Sequence, residues 1–139
     1  MDRKEFLSVL GLGAAVIACG SCVGGCKPLD DNVPSAPTNV DFTLNLADAA
    51  NSALKSNGGY VYHNGIIVAR TSNGSYVALS SICTHQGGTV FYDSATNEFH
   101  CPNHGSNFAT DGSVINGPAS SPIARYTTAL SGTSLRVRS

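Results

Sequence analysis

Two cysteine–histidine pairs in the second half of the 139-residue chain carry the clearest chemical signal. The first pair is Cys83 and His85, the second is Cys101 and His104, and fifteen residues separate His85 from Cys101. Two thiolates and two imidazoles suit either a tetrahedral zinc ion or a [2Fe–2S] cluster with cysteines on one iron and histidines on the other. Zinc sites usually present two cysteines before two histidines, whereas these ligand types alternate. The alternation favours the cluster, because each pair can give one ligand to each iron.

Each pair follows a run of residues with strand character. Tyr76–Leu79 precedes the first pair, and Glu98–His100 precedes the second. Glycines follow both pairs and allow backbone N–H groups to approach a bound group closely. We expect the two strands to be neighbours, so that their loops converge on one site.

Turn signals recur along the body of the chain about every 8–12 residues, as expected for an all-β domain. The turn dipeptides are Asn64-Gly65, Asn73-Gly74, Asp111-Gly112 and Ser131-Gly132. The predicted strands are Tyr60–Tyr62, Ile66–Arg70, Tyr76–Leu79, Thr89–Tyr92, Glu98–His100, Tyr126–Leu130 and Ser134–Val137. Leu46–Lys55 predicts a brief helix. The pattern indicates a small antiparallel sandwich or barrel.

The ligand segments resemble those of the Rieske family of iron–sulfur proteins. The matching residues are Cys83-Thr84-His85-Gln86-Gly87-Gly88 and Cys101-Pro102-Asn103-His104-Gly105-Ser106-Asn107-Phe108, with Gly117-Pro118-Ala119 in the place of the family's third loop. The resemblance implies a Rieske-type antiparallel β-sandwich or barrel with a small cluster-binding subdomain at about residues 82–106. It also implies one [2Fe–2S] cluster per chain, with Cys83 and Cys101 on the inner iron and His85 and His104 on the outer iron.

Two departures from the respiratory members of this family bear on stability and potential. Gly88 and Asn103 stand where those proteins have a disulfide, so we expect folding to depend more strongly on iron. Phe108 stands where high-potential members have a tyrosine that donates to a cysteine sulfur, whereas Ser106 retains the hydroxyl directed at a bridging sulfide. Hydrogen bonds to the sulfurs raise the potential. We therefore expect a midpoint potential below respiratory Rieske proteins and above oxygenase ferredoxins.

Residues 1–26 have the pattern of an export signal. Arg3 and Lys4 precede an apolar run from Phe6 to Ala18, which is shorter than the about 20 residues of a spanning helix. Val16-Ile17-Ala18-Cys19 resembles a bacterial lipobox, which implies lipidation of Cys19, and Val23-Gly24-Gly25-Cys26 is a weaker second match. Arg3-Lys4 also resembles a twin-arginine signal with lysine in place of the second arginine. We predict an exported bacterial protein, anchored by lipid on the periplasmic or cell-surface side of the membrane.

The segment after the signal predicts a connection to the domain. Residues 27–41 contain three prolines and small polar residues without periodicity, which predicts a flexible tether. Residues 42–139 then form the predicted Rieske domain. His63 lies at a turn and His100 lies in a predicted strand, so we assign them to the surface or to structural roles.

Composition narrows the class of function. Charged residues make up 12% of the chain and the formal net charge is −1, which argues against a nucleic-acid partner. No set of acid–base or nucleophilic residues is evident, so no catalytic residues are predicted. The prediction is one-electron transfer, as a carrier or as the small subunit of a periplasmic or membrane-associated oxidoreductase with a redox protein as partner. The alternatives are a structural zinc-binding β module and the ferredoxin component of a ring-hydroxylating oxygenase.

Overall fold

The computed structural model describes residues 33–139, which form antiparallel β-strands and one short 3-10 helix, Ala49–Lys55. The strands are β1 (Asp41–Asn45), β2 (Tyr60–His63), β3 (Ile66–Arg70), β4 (Tyr76–Ser80), β5 (Phe91–Asp93), β6 (Glu98–His100), β7 (Asn107–Phe108), β8 (Val114–Asn116), β9 (Arg125–Ser131) and β10 (Ser134–Arg138). Within residues 33–139, no helix is long and apolar enough to cross a membrane. The predicted signal and Cys19 lie outside the described residues.

The strands form a six-stranded sheet in the order β1–β10–β9–β4–β3–β2 and a four-stranded sheet in the order β5–β6–β7–β8. The all-β prediction is therefore confirmed. The brief helix predicted within residues 46–55 is present as the 3-10 helix Ala49–Lys55. Asn64 and Gly65 have φ values of 48° and 80°, which is the geometry that an Asn-Gly hairpin between β2 and β3 requires.

Strand β3 explains how the two layers pack. Its residues Ile66, Ile67, Val68 and Ala69 are all at most 1% exposed, so both faces of the strand are buried. Ile67 and Ala69 face a core shared with the smaller sheet, whereas Ile66 and Val68 face a second core. That second core includes Leu54 of the 3-10 helix and Leu135 and Val137 of β10.

The first core lies directly beneath the cysteines. It contains side chains from β3 and β4 of the larger sheet and from β5, β6 and β7 of the smaller one. Cys83 and Cys101 belong to the same cluster of buried residues. The site is therefore built onto the layer that joins the two sheets.

Residues 33–40, which we call the N-terminal strap, contact the folded unit although the sequence assigned them to the tether. The Tyr126 hydroxyl donates to the Pro37 carbonyl at 2.7 Å, and the Val40 N–H donates to the Ser139 hydroxyl at 3.1 Å. β1 then begins at Asp41, one residue before the predicted domain boundary. The folded unit thus includes residues 33–41, while residues 27–32 of the predicted tether lie outside the described part of the chain.

Candidate metal centre

The two ligand loops leave strands of different sheets. The first loop, residues 81–90, connects β4 of the larger sheet to β5 of the smaller one, and the second, residues 101–106, connects β6 to β7. The expectation that the loops follow neighbouring strands is therefore wrong. They meet because β5 pairs with β6 in a register that places Phe91, just after the first loop, opposite His100, just before the second.

The two loops share the same backbone turn. In the first, the Cys83 N–H donates to the Gly88 carbonyl at 2.7 Å and the Gly87 N–H donates to the Cys83 carbonyl at 2.9 Å. In the second, Cys101 donates to Ser106 at 2.8 Å and Gly105 donates to Cys101 at 3.0 Å in the same pattern. Gly87 is thus the structural equivalent of Gly105, and each cysteine opens a turn of the same shape.

The turns direct the two cysteines inward. Cys83 is 1% exposed and Cys101 is 2% exposed, and in residues 33–139 both are free of disulfides. Burial raises the pKa of the Cys101 thiol, and the neighbouring Cys83 thiol acts in the same direction. The backbone N–H groups of Asn103 and His104 oppose this shift by hydrogen bonding to Cys101. Iron would bind these cysteines as thiolates, so loading the site would release protons.

The two histidines lie together on the outer side. The imidazole rings of His85 and His104 have centroids 4.9 Å apart and are nearly perpendicular, at 85°. His104 is exposed, whereas His85 is half-buried and its Nδ1 atom is buried with no hydrogen-bond partner. An unpaired buried imidazole nitrogen is costly unless it binds another group, such as a metal ion.

The donor set fits the binuclear cluster. Within the described residues, no three side chains of His, Cys, Asp or Glu converge as ligands of one metal ion. A mononuclear zinc site requires four ligands around a single point. A buried cysteine pair and a separate histidine pair instead match two irons with two protein ligands each.

Gly88 and Asn103, which stand where respiratory members of the family have a disulfide, lie close together. A Cβ atom at Gly88 would lie 2.5 Å from Nδ2 of Asn103 and 3.0 Å from Sγ of Cys101. A side chain at position 88 would therefore have to displace the Asn103 side chain, because the two ligand loops approach each other closely here.

A third loop, residues 117–124, fastens to both ligand loops. The Ala119 N–H donates to the hydroxyl of Ser106 at 2.9 Å, and the Thr84 hydroxyl donates to the Ser121 carbonyl at 2.6 Å. Just before this loop, at the end of β8, the Asn116 side chain donates to the Gly105 carbonyl at 2.9 Å. The sequence identified the loop but missed the roles of Thr84 and Asn116. Nothing in the local sequence distinguishes a polar side chain that hydrogen-bonds to another loop from one that faces water.

The two remaining histidines contact residues outside the ligand loops, although His63 was predicted to be a solvated turn residue. His63 packs against Phe42 with ring centroids 4.2 Å apart. His100 hydrogen-bonds through Nδ1 to the Asn107 side chain and packs edge-on against Phe91, with centroids 5.3 Å apart. The contacts of His100 come from the neighbouring strands β5 and β7, whereas His63 of β2 contacts β1. The small sheet of which His100 is part continues to Asn116, beyond the subdomain limit of about 106 predicted from the sequence.

The fold and site together define a β-protein with paired loops that present two cysteines inward and two histidines outward. A family model of the Rieske [2Fe-2S] domain matches residues 45–127. The cytochrome b6-f complex iron-sulfur subunit of Chlorobaculum tepidum is 29% identical over 129 residues, covering 90% of this chain and 68% of that protein. The same subunit of Prochlorococcus marinus (strain MIT 9303) is 30% identical over 142 residues, covering 89% and 77% respectively.

Solved structures of a Rieske protein and of a ferredoxin are similar in fold to this chain. The plasma membrane Rieske protein PetC3 of Synechocystis PCC 6803 superposes with a TM-score of 0.54 at 33% identity, covering 63% of this chain and 93% of that one. The ferredoxin of carbazole 1,9a-dioxygenase from Nocardioides aromaticivorans shares the fold, with a TM-score of 0.54 at 21% identity. The chain belongs to the Rieske [2Fe-2S] family, and its function is one-electron transfer through a [2Fe–2S] cluster.

Proposed function

We propose that Cys83, His85, Cys101 and His104 hold the cluster, and that the chain passes electrons between partners at a membrane surface. The observation that carries the ligand assignment is the separation of the four side chains into a buried thiol pair and an outer imidazole pair. When bound, the cluster supplies a centre that gains and loses one electron. Two thiolate ligands leave the oxidised form formally neutral, which makes reduction easier than with four thiolates.

The surface around the histidines is where we expect electron exchange. His104 is exposed, and so are Pro102 of the second ligand loop and Pro118 and Pro122 of the third loop. We therefore expect the outer imidazoles to give the shortest route between the site and a partner. No Asp, Glu, Lys or Arg occurs in residues 80–92, 99–110 or 112–124. A partner would therefore dock on a neutral surface through contact and shape, without strong electrostatic steering.

Ser106 and Phe108 are the proposed tuning residues. Ser106 is fully buried, and its oxygen already accepts the Ala119 N–H, so its own hydroxyl proton remains available to a cluster sulfur. Phe108 is also fully buried but has no hydroxyl to donate. One hydroxyl donor to the cluster sulfurs, where high-potential members have two, supports the intermediate midpoint potential expected from the sequence.

The assignment of the four ligands is tested by absorption and low-temperature EPR spectra of the full-length protein before and after dithionite. The native protein should be brown, bleach on reduction, and give a rhombic signal averaging below g = 2 only when reduced. Replacing Cys83 or His104 with alanine should abolish this signal. His63→Ala is the matched control, because His63 packs on Phe42 outside the ligand loops, and it should keep the native spectrum. A colourless native protein that holds zinc after iron reconstitution would contradict the proposal.

The proposed membrane attachment rests on the N-terminal pattern and on the relatives. The relatives are iron-sulfur subunits of cytochrome b6-f complexes, and PetC3 is described as a plasma membrane protein. These names support a carrier or small subunit that works with a larger membrane oxidoreductase. Export by residues 1–26 and lipidation of Cys19 would provide the attachment.

Fractionation and fatty-acid labelling of two single variants test the anchor. Cys19→Ala should lose the label and move the protein out of the membrane fraction, whereas Cys26→Ala should retain both. The reverse pattern would assign the anchor to Cys26. Labelling of neither cysteine would reject lipidation while leaving the electron-transfer function untouched.

A further inference from the structure

The N-terminal strap lies against one of the two equivalent ligand loops. A Cβ atom at Gly87 of the first loop would be 2.8 Å from Cδ of Pro34, so the proline ring lies directly on this glycine. At the equivalent Gly105 of the second loop, a Cβ atom would meet no other atom within 4 Å. Both glycines have left-handed backbones, with φ of 75° and 84°. The two turns match in geometry but differ in what covers them.

Pro34 is held in this position by fixed points along the strap. At the end of the strap, Val40 and Ser139 exchange two hydrogen bonds of 3.0 and 3.1 Å. In the middle, the carbonyl of Pro37 accepts the hydroxyl of Tyr126, a residue that is 5% exposed. The strap is thus attached to strand β9 and to the C-terminus before it reaches the first ligand loop.

The strap and the third loop both line a cleft beside the first ligand loop. Val33, Pro34 and Ala36 line one side of a cleft of about 260 Å³, and the other lining residues include Ile82, Thr84 and Pro122. Thr84 is itself bonded to the third loop through Ser121. The loop that carries Cys83 and His85 is therefore bonded to the third loop and shares a cleft with the strap.

We propose that the N-terminal strap is part of the cluster-binding site, and that Pro34 is a positioning residue for the first ligand loop. The Gly87 N–H closes the turn by bonding to the Cys83 carbonyl at 2.9 Å. Because the ring of Pro34 occupies the side toward which a side chain at Gly87 would project, the turn opens in that direction only if the strap is displaced. The strap thereby slows release of the cluster and limits water access to Cys83 and His85. This inference rests on the proposed ligand role of those two residues.

A double-mutant cycle on the full-length holoprotein tests the contact. The variants are Pro34→Ala, Gly87→Ala and the two combined, with Gly105→Ala as the matched control. Gly105→Ala introduces the same left-handed strain without a collision, so it isolates the backbone contribution. The measurements are the rate of cluster bleaching in excess chelator and the midpoint potential.

Gly87→Ala should lose the cluster about fivefold faster than Gly105→Ala, which corresponds to roughly 1 kcal/mol. Adding Pro34→Ala should remove that excess, because the collision partner is gone. Pro34→Ala alone should also accelerate bleaching and raise the midpoint potential, since water near the site stabilises the more negative reduced state. A strap that served only overall stability would change the unfolding temperature and leave the potential unaltered.

The proposal would be overturned if Gly87→Ala and Gly105→Ala bleached at equal rates and Pro34→Ala kept the native bleaching rate and midpoint potential. If Gly87→Ala does not fold, Pro34→Ala by itself decides the question through its bleaching rate and potential. Failure of the ligand assignment has a different signature, because Cys83→Ala would then keep the complete [2Fe–2S] spectrum whatever the strap variants do.

Discussion

Replacing Ser106 with alanine separates the structural role of its hydroxyl from its electronic role. The Ser106 oxygen accepts the Ala119 N–H at 2.9 Å at a position with no solvent exposure. Ser106→Ala leaves that N–H without its partner, which costs about 1–3 kcal/mol of unfolding free energy. The third loop should loosen with it, because this bond fastens the loop to the second ligand loop.

The same substitution should lower the midpoint potential. The hydroxyl proton of Ser106 would be available to donate to a cluster sulfur, and such a bond would strengthen when reduction adds negative charge. If it strengthens by roughly 1–2 kcal/mol, its loss lowers a one-electron midpoint by about 40–90 mV. Denaturant unfolding gives the first quantity, and a redox titration followed by EPR gives the second.

Ser80→Ala is the matched control for both measurements. Ser80 is 1% exposed and its hydroxyl oxygen accepts the Ile82 N–H at 3.2 Å, so its loss removes a comparable buried bond. It should reduce stability and leave the midpoint potential unchanged. The reasoning is refuted if Ser106→Ala keeps or raises the potential, or if both variants lower it equally.

Four further predictions follow from the described contacts. Combining Gly88→Cys with Asn103→Cys should form a disulfide, because a Cβ at position 88 lies 2.9 Å from Cγ of Asn103. In unfolding experiments this disulfide should stabilise the iron-free protein by about 3 kcal/mol, and a reductant should remove the gain. Tyr126→Phe should cost about 1 kcal/mol of unfolding free energy by removing the 2.7 Å bond to Pro37, with the spectrum of the cluster retained. Phe108→Tyr should raise the midpoint in a redox titration by adding a second donor near the cysteines, and a lower midpoint would exclude that role. The rate of electron transfer to a physiological partner, measured by stopped flow, should change little with ionic strength, because residues 80–92, 99–110 and 112–124 contain no Asp, Glu, Lys or Arg. A steep dependence of this rate on ionic strength would place docking on another surface.

Several strands of both sheets were predictable from local pattern. Ile66–Arg70 and Glu98–His100 were predicted with the bounds that the structure has, because strongly β-forming residues end at turn signals. β1 was missed although it alternates, with Leu44 buried and Thr43 exposed. Its first residue, Asp41, was assigned to the tether, and its other four residues were placed in the domain without a strand. β7 and β8 contain two and three residues, too few for any period to be detected.

The ligand set was predicted from residue types and spacing, whereas its supports were not. The contacts of Thr84 with Ser121, of Asn116 with Gly105 and of Pro34 with Gly87 join separate segments of the chain. A polar residue or a proline in a loop looks the same whether it fastens another loop or faces water. Such roles appear only when the partner's position is known.

By itself, the sequence determined the chemistry: two thiols and two imidazoles in loops whose glycines permit a tight turn, on a chain patterned for short strands. These are local properties, set by side-chain type and by backbone preferences over a few residues. Tertiary structure decided how the loops meet, because they leave strands of different sheets and converge only through the pairing of β5 with β6. It also decided that the strap covers one loop and leaves the other open, since that depends on where Tyr126 and Ser139 hold a segment about 90 to 100 residues away in sequence.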